Sequence, residues 1–314
     1  MPVPQDHWSR RRLFPGSLPV HVLFSRHDID VPAHDHDFVE IALVVSGQAV
    51  HHTRQGTEPL GCGDVVTLRP GVWHGYGQPR KLRIWNCCFG PELLQRELAW
   101  TLEDPILNVV LWGLRDQTGG AVRCAVEREG ITPCRQHLKD LAGLAQHPRA
   151  GRASAVGLLL VYLDTLAHYV RKNAATPLRE LPPKVIAIIR MLDGNLVRSW
   201  CMADFAEATG IHPAYLTRQF TSAVGTSPMA YLFRRRAERA AALLLQTQQS
   251  IGDIATAVGW DDPVYFARRF RQHYGMSATA YRRRYAQFQQ QYFPVRAARS
   301  RVSRYNMNDC RPLA

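Results

Sequence analysis

The chain has 314 residues, 46% of them hydrophobic and 21% charged, with 39 Lys/Arg against 26 Asp/Glu for a formal net charge of +13. That length suits two domains of about 150 residues, and the mix excludes a disordered or fibrous chain. No run of about 18 apolar residues is present, which excludes a membrane-spanning helix.

Seven cysteines without a Cys-x-x-Cys pair argue against a disulfide framework and against a zinc finger. The run from Arg10 to Pro15 is not followed by the apolar stretch of an export signal. The expectation is a cytoplasmic protein with no membrane partner. The charge is unevenly spread: residues 1–180 carry 20 basic and 18 acidic side chains, whereas residues 181–314 carry 19 and 8. A basic half joined to a near-neutral half points to a polyanion-binding module attached to something with another task.

Residues 1–19 read as an N-terminal arm. From 20 to 90, short β-type runs (Ile41 to Val45, Val65 to Leu68, Leu82 to Cys88) alternate with Gly and Pro turns. They predict an all-β barrel or sandwich. In that segment His34, His36 and Glu40 occupy even positions, on one face of an extended strand, and His74 adds a fourth polar group after the Pro70-Gly71 turn. Cys87 and Cys88 are adjacent on a predicted strand and point to opposite faces, which argues against a thiol sensor.

Residues 91–175 read as helical, a region for dimerisation or coupling. Val156, Leu159, Leu160, Leu163, Leu166, Ala167 and Val170 recur at steps of three and four along one helical stripe. The stripe suits either its own domain or the same helix of a second subunit. Prolines at 177, 182 and 183 mark a linker at 176–183.

The basic half, 184–285, contains an internal repeat. Asp204 to Gly210 aligns with Asp253 to Gly259 at an offset of 49. Pro213, Leu216, Arg218, Phe220, Gly225, Ser227 and Tyr231 then align with Pro263, Phe266, Arg268, Phe270, Gly275, Ser277 and Tyr281 at an offset of 50. Each copy predicts a short helix, a Gly turn and a second helix starting at a proline, with Leu216/Phe220 and Phe266/Phe270 as buried i,i+4 pairs. That is a tandem helix-turn-helix.

Opposite the buried pair lie Ala214, Arg218, Thr221 and Ser222 in copy one, and Val264, Arg268, Arg271 and Gln272 in copy two. Arg218 and Arg268 point directly away from the core, suited to the O6/N7 edge of guanine, with Thr217 and Ala267 beside them. The apolar-rich stretch from Pro228 to Leu245 predicts a joining helix of roughly 27 Å, which spaces the two units about one DNA turn apart. Residues 286–314 read as an unfolded basic tail.

Ile251-x-x-Ile254-Ala255-x-x-Val258-Gly259-Trp260, followed by Tyr265-Phe266-x-Arg268-x-Phe270 and Gly275-x-Ser277-x-x-x-Tyr281-Arg282, resembles the signature of the AraC/XylS family of transcription regulators. The resemblance implies binding to double-stranded promoter DNA, with Ala214, Thr217, Arg218, Val264, Ala267 and Arg268 at base-reading positions. It implies RNA polymerase as a partner if the protein activates, and a homodimer.

The histidine pattern from His34 to Gly47, with Pro70 to Tyr76, resembles the cupin barrel and the sugar-responsive sensors of that family, the rhamnose regulators in particular. Arg69 departs from it, standing where a cupin has proline. The fold class expected is therefore α+β in two domains: a cupin-like barrel with trailing helices, then an all-α domain with two helix-turn-helix units joined by a long helix.

Three readings of the His/Glu constellation stand. One is a metal-free pocket for a sugar-like effector, with His34, His36, Glu40 and His74 as polar groups and Trp73, Tyr76 and Trp85 as walls. Another is a divalent metal held by His34, His36, Glu40 and His74. The last is polar residues that only hydrogen-bond at the barrel mouth. The function expected is a ligand-responsive, non-enzymatic transcription regulator without a cofactor. The competing reading is a cupin metalloenzyme, a dioxygenase or isomerase, carrying a DNA-binding domain.

Overall fold

A computed structural model describes residues 6–8, 14, 18–53, 56–112, 121–144, 147, 151–170 and 180–283. The expected basic tail at 286–314, half of the linker at 176–183 and most of the N-terminal arm at 1–19 lie outside the described residues.

The N-terminal half forms one eight-stranded sheet: β1 (Asp6–Trp8), β2 (Val20–His27), β3 (Val31–His36), β4 (Val39–Thr53), β5 (Gly56–Gly61), β6 (Asp64–Leu68), β7 (His74–Phe89) and β8 (Ala121–Ala125). The main path runs β1-β3-β7-β4-β6-β8, with β2 also on β7 and β5 also on β4. Alternation along the long strands gives two apolar faces. Ile41, Leu43, Val65, Trp85, Cys87 and Phe89 face the helices, while Ala42, Val44, Val66, Leu68, Leu82 and Ile84 form a separate inner cluster.

After two 3-10 turns (Pro91–Gln95, Ala99–Leu102) come α1 (Leu107–Trp112), α2 (Arg128–Leu144) and α3 (Arg152–Tyr169). The segment expected to be wholly helical thus contains a strand: β8 pairs with β6 from Asp64↔Ala125 to Leu68↔Ala121. Five residues of modest β-propensity earn their strand from an open sheet edge, which local periodicity does not register.

The α3 stripe packs inward on its own chain, against α2 and β2. Val156, Leu159, Leu163 and Leu166 are buried as expected, joined by Tyr162. Val170 instead leaves the helix and bridges Val126.

The C-terminal half is helical: α4 (Pro183–Gly194), α5 (Met202–Thr209), α6 (Pro213–Val224), α7 (Pro228–Gln246), α8 (Ile251–Ala257) and α9 (Pro263–Tyr274). Asp262 caps α9, its carboxylate accepting from the N–H groups of Val264 at 2.8 Å and Tyr265 at 3.2 Å. At Cys201, where the sequence offers a poor cap, the Asp204 carboxylate accepts the Cys201 N–H at 2.7 Å. Gly225 and Gly275, at φ 81° and 74°, end α6 and α9 in the left-handed conformation. Leu216, Phe220, Phe266 and Phe270 are fully buried.

Two cores result. The first unit shares one hydrophobic cluster with the helices of the sensor half, and the second unit has its own around Phe266, Phe270 and Tyr281.

Candidate functional site

The pocket is assembled where β3, β4 and β7 meet. His34 lies opposite His74 in the β3/β7 ladder, and their rings are 4.3 Å apart. The His36 ring stands edge-on to His74 at 5.8 Å, and its Nε2 is 3.8 Å from Glu40 Oε2. Two ring nitrogens face backbone carbonyls, His34 Nδ1 to Pro32 at 3.0 Å and His36 Nδ1 to Phe38 at 2.8 Å. A carbonyl only accepts, so each Nδ1 carries a proton. All four predicted polar residues are buried and brought together.

Tyr76 joins them, its ring 5.5 Å from both His74 and His51. Trp73 sits half-buried on the loop before β7, next to His74. Trp85 is a correction. It lies on the helix-facing side of β7 with Cys87 and Phe89, its ring tilted against Phe24 at 5.0 Å, because odd positions on this part of the strand point away from the pocket.

Three further residues belong to the site. Trp8 of β1 stacks on His34 at 4.3 Å, His51 packs edge-on to His74 at 5.6 Å, and buried Asn86 opposes Ala42, two residues along β4 from Glu40 and on the same face. His51 is reached only because β4 shifts register between Val44 and Val50, which exchanges its inward and outward positions.

Burial dominates the electrostatics. It pushes His51 down to about 4 and His74 well below the usual imidazole range, in each case with help from neighbouring positive charge. It raises Glu40 to about 7, with a Cys88 thiol contact at 3.9 Å pulling the other way. Tyr76 is held protonated by the same cause. His51, His74 and Tyr76 are therefore neutral at pH 7, while Glu40 stands near its midpoint. Both ring nitrogens of His74, His51 Nε2, the Tyr76 hydroxyl and Asn86 Oδ1 are buried without a hydrogen-bond partner among the described residues. Such groups are costly unless something supplies their bonds.

His36, Glu40 and His74 each offer a ligand atom, all within 4.8 Å of one another. Imidazole nitrogen with carboxylate oxygen suits a divalent transition metal, so these three residues fit one.

On the helical half, Ala214, Arg218 and Thr221 of α6 are exposed, as are Val264 (78%), Ala267, Arg268 and Arg271 of α9. Thr217 is half-buried, its hydroxyl donating to the Pro213 carbonyl at 2.9 Å. Two exposed tyrosines, Tyr215 and Tyr265, recur at an offset of 50. The Arg218 guanidinium lies 5.8 Å from the Tyr215 ring centre, and Arg268 5.4 Å from that of Tyr265. The repeated pairing was available in the sequence as a Tyr three residues before each Arg.

Residues 18–161 match the AraC-like ligand binding domain and residues 205–284 match a helix-turn-helix domain. The chain is 28% identical over 280 residues to the transcriptional activator RhaR of Klebsiella pneumoniae, covering 88% of this chain and 96% of that protein. It is 32% identical to the C-terminal domain of AraT from Geobacillus stearothermophilus, over 33% of this chain and 88% of that domain, with a TM-score of 0.33. ToxT from Vibrio cholerae, at 12% identity, shares the fold over 85% of this chain and 99% of that one, with a TM-score of 0.51. With a ligand-binding barrel and a tandem helix-turn-helix matched in this order, the chain belongs to the AraC/XylS family and is an effector-controlled, DNA-binding transcription regulator.

Proposed function

We propose that this regulator is a cytoplasmic activator whose effector is a sugar or polyol, with 6-deoxyhexoses as the first class to test. It acts as a homodimer and engages RNA polymerase from its promoter site. The observation that carries the effector class is the set of buried, neutral and unsatisfied groups on His74, His51, Tyr76 and Asn86. Hydroxyls both donate and accept, and a neutral imidazole does the same. A polyhydroxylated ligand therefore satisfies such a pocket without bringing in charge.

Within it, Tyr76 donates, and the His34 and His36 Nε2 atoms accept. Glu40, titrating near neutrality, accepts when ionised and donates when protonated. Trp8 and Tyr76 supply ring faces against the sugar's C–H groups. On the helical half, Ala214, Thr217, Arg218 and Thr221 with Val264, Ala267, Arg268 and Arg271 read the DNA, the two arginines at base edges.

The test is a thermal-shift screen of the full chain against 6-deoxyhexoses, pentoses, hexoses and small aromatic acids. A 6-deoxyhexose at about a hundred times its dissociation constant stabilises the native state by about 2.7 kcal/mol. His74→Ala abolishes the shift and leaves affinity for nonspecific DNA unchanged. No response to any sugar, or an equal response in His74→Ala, would refute the effector assignment.

The closeness of His36, Glu40 and His74 favours a second reading, in which these three hold a divalent cation. When bound, such an ion would supply a Lewis-acidic anchor for a ligand hydroxyl. The chain's own residues would still orient the ligand through His51, Tyr76 and Asn86. One metal per purified chain, with the ligand shift lost on chelation, separates this reading from the metal-free one. Turnover of a candidate substrate by the metal-loaded chain would support the metalloenzyme instead.

A further inference from the structure

Arg69, where the barrel pattern has proline, is almost fully buried, and its partner is not in the barrel. Its Nε lies 3.8 Å from Glu238 Oε2 on α7, and its Nη1 donates to the Leu111 carbonyl at 3.3 Å. Glu238 also pairs with Arg235, whose Nε donates to Asp193 at 2.7 Å, and Tyr231 donates to the same carboxylate at 2.8 Å.

A second crossing starts from the middle of the pocket motif. Asp35 stands between His34 and His36, and its Oδ2 accepts the Tyr281 hydroxyl at 2.7 Å across 246 residues. A third is steric: a Cβ on Gly71, at φ 78°, would lie 2.6 Å from the Tyr274 hydroxyl. Tyr274 and Tyr281 in turn pack on Phe270 of α9, at 4.6 and 5.5 Å.

The two segments carrying the pocket histidines, β3 and the loop from Arg69 to His74, thus both abut the second helix-turn-helix unit. The first unit is held chiefly through the hydrophobic cluster it shares with the sensor helices, with an Arg190–Glu103 ion pair, and Glu238 also ties to it through Arg235 and Asp193.

We propose that Asp35 and Arg69 are positioning residues through which the effector pocket sets the placement of the second helix-turn-helix unit, while the first unit stays fixed to the sensor. The proposal rests on the effector-pocket reading and deepens it. Alternation makes β3 two-sided: His34 and His36 face the ligand and Asp35 faces Tyr281, so a shift of the strand that reshapes the pocket displaces the Asp35 carboxylate equally. Hydrogen bonds and buried ion pairs depend steeply on distance and angle, so the second unit feels that displacement. Apolar contact is non-directional and holds the first unit through small shifts.

Coupling between sites is reciprocal, so DNA must act on the pocket as the effector acts on DNA. The test therefore needs no identified ligand. The full chain selects an operator from random DNA, and the second half-site is the one whose protection is lost in Arg268→Ala. Hydrogen exchange is then followed in residues 31–36 and 69–74. The intact operator is expected to change exchange there by about fivefold or more. An operator with only the first half-site leaves both segments unchanged. Tyr281→Phe removes the response to the intact operator while keeping first-half-site protection, and Glu238→Gln reduces it. Should Tyr281→Phe fail to fold, Asp35→Asn alters the same bond from the other side. Segments indifferent to the intact operator, an equal response to the first half-site alone, or a full response in Tyr281→Phe would each overturn the proposal. A chain that selects no DNA overturns the regulator reading and this proposal with it.

Discussion

Arg218 and Arg268 carry the sharpest expectation at the scale of single residues. Each is exposed at the centre of a free helix face, braced by a tyrosine three positions earlier. Arg218→Ala and Arg268→Ala should each cost about 1–3 kcal/mol on the selected operator and much less on random DNA, measured by fluorescence anisotropy. Equal losses on both DNAs would make them phosphate contacts.

The histidines of the sheet, His21 and His27 on β2 together with those of the pocket, predict a pH dependence. His21, His27 and His51 are lowered to about 4, chiefly by burial, and His74 is lowered further. Their folded-state values lie below the unfolded 6.5, so the folded chain binds fewer protons, and stability is lost as pH falls from 6.5 towards 4. Glu40 is raised to about 7 and acts oppositely, its contribution fading as pH rises from 4.5 to 7. With several histidines against one carboxyl, the melting temperature should drop on acidification from pH 7 to 5. His51→Gln should flatten that drop, by about 2 kcal/mol at most for so buried a group, and Glu40→Gln should steepen it. An unchanged slope in both variants would disprove this account.

His34, His36, Glu40 and His74 were legible in the sequence because a uniform period of two relates the first three and a Gly turn returns the fourth. His51 and Trp85 were not, since the β4 register shift and the facing of β7 are set by pairing with other strands.

At the scale of elements, capping and punctuation decide the outcome. Asp262 satisfies two N–H groups of α9, whereas His212 serves α6 through a single long contact, 3.4 Å from Ala214 N to His212 Nδ1. Asp262→Ala should therefore destabilise the second unit by about 1 kcal/mol, and His212→Ala the first by distinctly less, in urea titrations of the full chain. Equal losses would show that the caps do not differ.

The repeat made both helix-turn-helix units readable, because proline starts, glycine stops and i,i+4 aromatic pairs are local chemistry. β8 was hidden for the opposite reason. Nothing within Ala121–Ala125 demands a strand, and only β6 beside it does.

For the whole molecule, the excess positive charge of the C-terminal half predicts a steep loss of operator affinity between 50 and 200 mM salt, about a thousandfold if six phosphates are neutralised. A flat salt response would contradict phosphate binding by that half. Phe270→Ala should disrupt the second core by about 3–5 kcal/mol. Because that core is separate from the larger cluster, the loss should appear as an early transition in thermal unfolding, with the sensor and first unit melting later. A single transition shifted as a whole would mean the two cores unfold together. The order of the domains was legible from the charge asymmetry and the proline-rich linker. Their mutual contacts were not, because a bond such as Tyr281 to Asp35 joins residues that no local pattern relates.

The joining helix α7 runs unbroken for nineteen residues and is clamped near its start by Asp193, through Tyr231 and Arg235. It therefore acts as a gauge of rotation as well as of length. One residue inserted beyond the clamp lengthens it by only about 1.5 Å but turns the second unit, and Arg268 with it, through about 100°. Seven inserted residues nearly restore the angle while adding about 10.5 Å, close to three base-pair steps. The phase between the two recognition helices is thus set by the pitch of one helix, and a variant with seven residues inserted beyond the clamp should recover more operator affinity than a variant with one.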